Sequence, residues 1–246
     1  MFPIIQIGPI ALQAPGLILL IGLWSGLLLS ERLAPRFRAK PNDVYNLVFV
    51  GLIAAVLGAR VSFVIQNYEV FLQNPLNVIS LNPGLLDPIG GIAIGLISAL
   101  VYGNRKGISW KPTLDAISPF LCVMMIAYGF SNLASGDAFG AETTLPWGIH
   151  LWGGMRHPTQ VYQVLAGGLI LGIIWPRTAN SNTVQRIPGE TIIGFLALSA
   201  GAWLFLEAFR GDSNVLSNGI RTNQIFAWLL LAVSLWVHRK LHQQES

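Results

Sequence analysis

Residues 156–163 read Arg-His-Pro-Thr-Gln-Val-Tyr-Gln, at the mouth of a long apolar run. Within seven residues the stretch offers a guanidinium fork (Arg156), an imidazole (His157), a carboxamide (Gln160) and a phenol (Tyr162). Arg156 has the geometry to hold a phosphate in two hydrogen bonds. Other polar residues recur at the ends of apolar runs: Arg60, the pair Gly90 and Gly91, Asn132 with Ser131 and Ser135, and Glu207 with Arg210. Cations set among apolar segments suit an anionic lipid headgroup, whose phosphate needs charge while its acyl chains need grease.

The elements that must position these groups are helices in a bilayer. The chain has 246 residues, of which 53% are hydrophobic and 11% charged, and its mean hydropathy is +0.58. That composition indicates an all-α integral membrane protein. The net charge of +4 comes from basic residues scattered between apolar runs, so it reflects membrane topology and argues against a nucleic-acid partner. Cys122 is the single cysteine and forms no intrachain disulfide. The first apolar run is too long for a signal-peptide core and reads as a retained span.

Seven segments are expected to cross, at about 14–33, 44–66, 88–104, 116–136, 158–176, 189–209 and 223–241. With the N-terminus outside, the cytoplasmic side carries eleven Lys and Arg: Arg32, Arg36, Arg38, Lys40, Arg105, Lys106, Lys111, Arg177, Arg186, Arg239 and Lys240. The outer side carries four: Arg60, Arg156, Arg210 and Arg221. This bias orients the chain with its N-terminus outside and its C-terminus in the cytoplasm. The chain then forms a single membrane domain over 1–246, with an outer loop at 137–157 able to fold as a small extramembrane cap. The polar residues singled out above all fall at the level of the outer leaflet.

Each residue also has a structural reading. Arg156 can snorkel at a membrane boundary and Tyr162 can belong to an aromatic belt. Glu207 and Arg210 stand at helical spacing and can neutralise each other. Gly136-Asp-Ala-Phe-Gly140 has the small-xxx-small pattern of helix packing. His150, His238 and His242 read as solvated, and Trp147, Trp152 and Trp175 as interfacial anchors.

Several stretches together resemble prolipoprotein diacylglyceryl transferases. They are IGPIALQAPGL, GARVSFVIQNYEVFLQNPL, GGIAIG, NRKGISWKPTLDAISP, SNLASGDAFGAETTLPWGI, RHPTQVYQ, EAFRGD and RTNQ, in the family's order along nearly the whole chain. RHPTQVYQ stands where the family has Arg-His-Pro-Ser-Gln-Leu-Tyr-Glu. The resemblance implies a seven-span enzyme of the bacterial plasma membrane. Its reaction moves a diacylglyceryl group from phosphatidylglycerol, or a related anionic phospholipid, onto the lipobox cysteine of a preprolipoprotein and releases glycerol phosphate. It implies neither cofactor nor metal.

By matching position, the resemblance carries over Arg156 and His157, which are expected to be catalytic; the family's usual candidate base is the histidine that Ile89 replaces, and His157 is the expected base in its place. Arg60, Arg156, Asn132 and Arg210 become phosphate-binding, and Gly90, Gly91, Gly136, Gly140, Gln160, Tyr162 and Glu207 supporting, with Pro158 also matching. The sequence departs from the family where Gly129 and Trp203 replace arginines, Ile89 replaces a histidine, and Gln13 and Pro15 replace an Arg and a Tyr. Those departures leave open an alternative: a family-derived lipid-binding or assembly protein that has lost this reaction or acts on another headgroup. A channel or transporter is disfavoured because no span carries ionisable residues through its middle.

Overall fold

The structure is a computed structural model that describes residues 4–7, 10–73, 75–79, 83–176, 187–213, 215–216, 219 and 221–243. Arg177 and Arg186, counted above on the cytoplasmic side, lie outside the described residues. An N-terminal hairpin of β1 (Ile4–Ile7) and β2 (Ile10–Gln13) precedes α1 (Ala14–Leu33), α2 (Pro41–Gln66) and the short α3 (Tyr68–Gln73). Next come α4 (Pro88–Lys106) and α5 (Trp110–Ser135), then a second hairpin of β3 (Ile149–Leu151) and β4 (Gly154–Arg156). Helices α6 (Thr159–Ile174), α7 (Glu190–Glu207) and α8 (Thr222–Gln243) complete the chain.

Helix boundaries follow local chemistry. Proline occupies the first turns of α1, α2 and α4, where its missing N–H costs nothing. Asp87 caps α4 by accepting from the backbone N–H groups of Ile89 and Gly90. Gly136 ends α5 at φ +89°, a conformation that favours glycine. Pro119 lies inside α5, and the neighbouring amide of Phe120 donates to the buried Ser30 hydroxyl of α1 at 2.9 Å.

The protein is an all-α, multi-spanning membrane protein. α1 with its 3-10 extension to Phe37, α2, α5 and α7 are each long and apolar enough to cross a bilayer. Many of their large apolar side chains face outward, among them Leu20, Trp24, Leu57, Ile65 and Phe205, as lipid-facing surfaces require. α1 packs along α5, α2 along α4, α7 along α8, and α6 lies between α5 and α7.

Small residues let α2 and α4 approach closely. A Cβ on Gly91 would lie 2.7 Å from the Ala55 carbonyl oxygen, and one on Gly95 would lie 2.8 Å from the Ala55 Cβ. The small-xxx-small pattern at 136–140 has another use. α5 stops at Ser135, so Gly136-Asp-Ala-Phe-Gly140 is not a helix face but a turn, left-handed at Gly136 and Ala138, that leads into an extended segment.

Candidate functional site

That extended segment joins the two motifs with the most chemistry. On one side Ala141 donates to the carbonyl of Phe209 at 2.7 Å, and Gly211 donates to that of Phe139 at 2.9 Å. On the other side His157 donates to the carbonyl of Ala141 at 3.0 Å, and Thr143 to that of Met155 at 2.9 Å. Residues 139–143 therefore form the middle of a small ribbon, with Arg156 and His157 on one edge and Arg210 on the other. Two glycines permit this closeness. A Cβ on Gly140 would strike the His157 backbone, and one on Gly211 would lie 2.7 Å from the Gly140 carbonyl oxygen.

Arg156 donates to the carbonyls of Leu151 at 3.1 Å and Gly140 at 3.3 Å, and its fork reaches Glu142 at 3.4 Å. Its guanidinium lies over the Phe139 ring, 5.1 Å from the centroid. His157 places Nδ1 3.4 Å from the Tyr162 hydroxyl and rests its ring against Phe209. Tyr162 in turn accepts from the indole N–H of Trp147 at 2.9 Å. Trp152 donates to the Gly136 carbonyl at 3.0 Å, so both indoles have partners around this ribbon as well as exposed faces.

Arg210 lies just past the end of α7. Its fork is held by both oxygens of Asp212, at 2.8 and 2.7 Å, while Glu207 lies 3.9 Å away. The Asp212 hydrogen bonds, foremost, and the carboxylate charges beside them raise its already high pKa further, so it stays a cation at any relevant pH. Arg221 donates to the carbonyls of Glu207 and of Arg210, the latter at 2.8 Å. Asn223 donates to the Glu207 carboxylate at 3.2 Å. The RTNQ stretch thus belongs to this centre. Its polarity at the start of an apolar run was the signal available in the sequence.

Beneath the ribbon, Gln160 and Glu207 are fully buried and Asn132 nearly so. Gln160 donates to the Asp137 carbonyl at 2.8 Å. Among the described residues, Asn132 Nδ2, Gln160 Oε1 and Glu207 Oε2 are buried without a hydrogen-bond partner. Orphaned buried polar atoms cost roughly 1–3 kcal/mol each, so three at the same end of α5, α6 and α7 mark a place shaped for something other than stability. An apolar cavity of about 470 Å³ opens alongside, between α5, α6, α7 and α8. Met125, Phe195, Leu206 and Trp203 line it, and Tyr128 and Arg210 supply polar groups.

Arg60, Gly90 and Gly91 belong to a different neighbourhood. The Arg60 guanidinium donates to the carbonyls of Val78 and Leu85, each at 2.8 Å, and to that of Asn77. Among the described residues it shares no partner with Arg156. Where the resemblance expects arginine, Gly129 is closed off by α6: a Cβ there would lie 2.7 Å from Val164 and 3.0 Å from the Gln160 carbonyl oxygen. Trp203 forms part of the cavity wall, and Ile89 is exposed at the start of α4.

A family model described as prolipoprotein diacylglyceryl transferase matches residues 3–239. The phosphatidylglycerol–prolipoprotein diacylglyceryl transferase of Nitrosomonas europaea is 28% identical to this chain, over 96% of it and 89% of that protein. The enzyme of the same name from Aliivibrio fischeri is 31% identical over 84% of this chain and 75% of its own length. The one from Shouchella clausii is 25% identical over 96% and 89%.

Proposed function

This chain belongs to the prolipoprotein diacylglyceryl transferase family, and from that premise we propose how its own residues perform the transfer. It is a multi-pass transferase of the bacterial inner membrane, acting in lipoprotein maturation with a membrane phospholipid as substrate. In our reading the donor is phosphatidylglycerol and the acceptor is the lipobox cysteine of a preprolipoprotein. α1, α2 and α4 through α8 all cross the bilayer, with the N-terminus outside and the C-terminus in the cytoplasm, as the Lys and Arg bias requires. The 137–157 segment caps the outer end.

The lipid enters with its acyl chains in the apolar cavity and its phosphate among Arg156, Arg210 and Arg221. Asn132 and Gln160 turn toward headgroup oxygens and hydroxyls that can use their unpaired atoms. His157 carries a proton on Nδ1, directed at Tyr162, which leaves Nε2 to accept the proton of the cysteine thiol. The thiolate attacks the glycerol carbon that bears the phosphate, a carbon–sulfur bond forms and the carbon–oxygen bond breaks. Glycerol phosphate leaves with the electron pair, its growing charge met by the guanidinium groups.

The cations that the family keeps at Gly129 and Trp203 are missing, and Arg221, gathered onto the Arg210 backbone, supplies a replacement charge. Arg60 we assign to bracing the 77–85 segment, and Gly90 and Gly91 to the seam between α2 and α4.

The observation that carries this reading is the cluster of unpartnered buried polar atoms on Asn132, Gln160 and Glu207 under a ribbon edged by Arg156, His157 and Arg210. The test is glycerol phosphate release from phosphatidylglycerol vesicles supplied with a lipobox-cysteine peptide. Release should require the peptide and disappear in an Arg156→Ala, His157→Gln double variant. Release at the wild-type rate from that variant would refute these assignments.

A further inference from the structure

The end of α7 and α8 away from the site carries a second constellation. His238 and His242 stand four residues apart on α8, so one helical face presents both imidazoles, with ring centroids 4.6 Å apart. Glu190, the first residue of the antiparallel α7, places a carboxylate oxygen 3.4 Å from His242 Nε2. One ligating atom from each of the three lies within 4.8 Å of the others. All three side chains are at least partly open to solvent.

We propose that Glu190, His238 and His242 form a binding site for a divalent transition-metal ion of the zinc type. A tetrahedral ion with bonds of about 2.0–2.1 Å holds its ligands roughly 3.3 Å apart. The Glu190–His242 pair already meets that spacing, and His238 reaches it by a small side-chain rotation that its partial exposure allows. Two neutral imidazoles and a carboxylate select zinc, cobalt, nickel or copper over magnesium and calcium, which prefer all-oxygen sites. Water completes the coordination.

Neighbouring charges are compatible with the ion. The Lys240 ammonium is turned onto the Trp236 ring, 4.1 Å from its centroid. Lys111 runs its stem beside Gly189, and the Asp115 carboxylate, which accepts from Gly189 at 2.6 Å and Ile192 at 2.9 Å, adds negative charge nearby. Glu190 and Glu207 are separated by the length of α7, about 25 Å at the helical rise, so this site is distinct from the transfer centre. Binding ties the start of α7 to the last turns of α8, and so holds the two helices that carry Glu207 and Asn223 at their other ends.

The test uses the full chain in detergent, purified without a polyhistidine tag, with Co²⁺ as the spectroscopic probe and Zn²⁺ as competitor. One equivalent of Co²⁺ should give the visible absorption of a tetrahedral site, Zn²⁺ should displace it, and Zn²⁺ should raise the thermal midpoint. His238→Ala, His242→Ala and Glu190→Gln should each weaken binding about tenfold or more, while His150→Ala leaves it unchanged. Binding that does not saturate at one equivalent, or that survives all three substitutions undiminished, overturns the proposal.

Discussion

The seam between α2 and α4 and the ribbon above α5, α6 and α7 are both polar ends of an apolar bundle, yet they differ in how completely their polar groups are paired. At the seam the polar groups are paired. Arg60 satisfies three carbonyls, and Asp87 accepts from Ser62 at 2.6 Å, Gln66 at 2.8 Å and two backbone amides. At the ribbon the contacts of Arg156 with Gly140 and Glu142 and of His157 with Tyr162 stretch to 3.3–3.4 Å, and three buried atoms have no partner. Saturated hydrogen bonding is what a fastening needs, whereas unspent donors and acceptors are what a ligand needs. In our reading the same residue type, arginine, therefore has different work at positions 60 and 156.

That contrast breaks most readily at the cations. Arg156→Ala and Arg210→Ala should each lower the transfer rate per folded molecule about 10²–10³-fold, the cost of removing one charged donor from a transition state, on top of any stability lost with their contacts to Leu151, Gly140 and Asp212. Arg60→Ala should spare the rate. It leaves the carbonyls of Asn77, Val78 and Leu85 without their donor and costs about 1–3 kcal/mol of stability, read by thermal unfolding in detergent, while the rate per folded molecule stays within about threefold.

A smaller effect sharpens the difference. Gln160→Met removes an unsatisfied oxygen together with the Nε2 donation to the Asp137 carbonyl, two changes of opposite sign, so stability should stay within about 1 kcal/mol of wild type while transfer slows. A loss well beyond that would mean that the oxygen is spent on the fold after all. The smallest effect concerns pH. The Ser62 hydroxyl, foremost, with Gln66 and the α4 amides, holds the Asp87 carboxyl below its ordinary 3.8. A group with a depressed folded pKa contributes stability that is present above its unfolded value and is lost as pH falls through the folded one. Wild type should therefore lose a small increment of thermal stability below about pH 4. Asp87→Asn should lack that increment at all pH values.

The sequence made the helices legible because apolar runs, first-turn prolines and terminal glycines are local signals, and α1 starts and stops where the pattern predicts. The two hairpins were not visible, since strands of three and four residues are too short to show a two-residue period. Gly136 and Gly140 satisfied a helix-packing pattern that a loop satisfies equally well. What decides between the two is the left-handed Gly136 backbone, a feature of geometry.

Arg156, His157, Gln160 and Tyr162 stood out by density within one stretch. Arg221 and Asn223 did not, because their partner Glu207 lies 14 and 16 residues away. His238 and His242 looked like a solvated tail until folding brought Glu190 beside them. In each case the missing information was a long-range contact, which periodicity does not encode.

The most direct test of the division between a fastened seam and a reactive ribbon is mass spectrometry of a lipobox-cysteine peptide incubated with phosphatidylglycerol vesicles. Wild type, Arg156→Ala and Arg60→Ala would be compared at equal amounts of folded protein. The expected result is a diacylglyceryl adduct with wild type and Arg60→Ala and essentially none with Arg156→Ala. An adduct formed as fast by Arg156→Ala as by wild type, or abolished in Arg60→Ala alone, would contradict it.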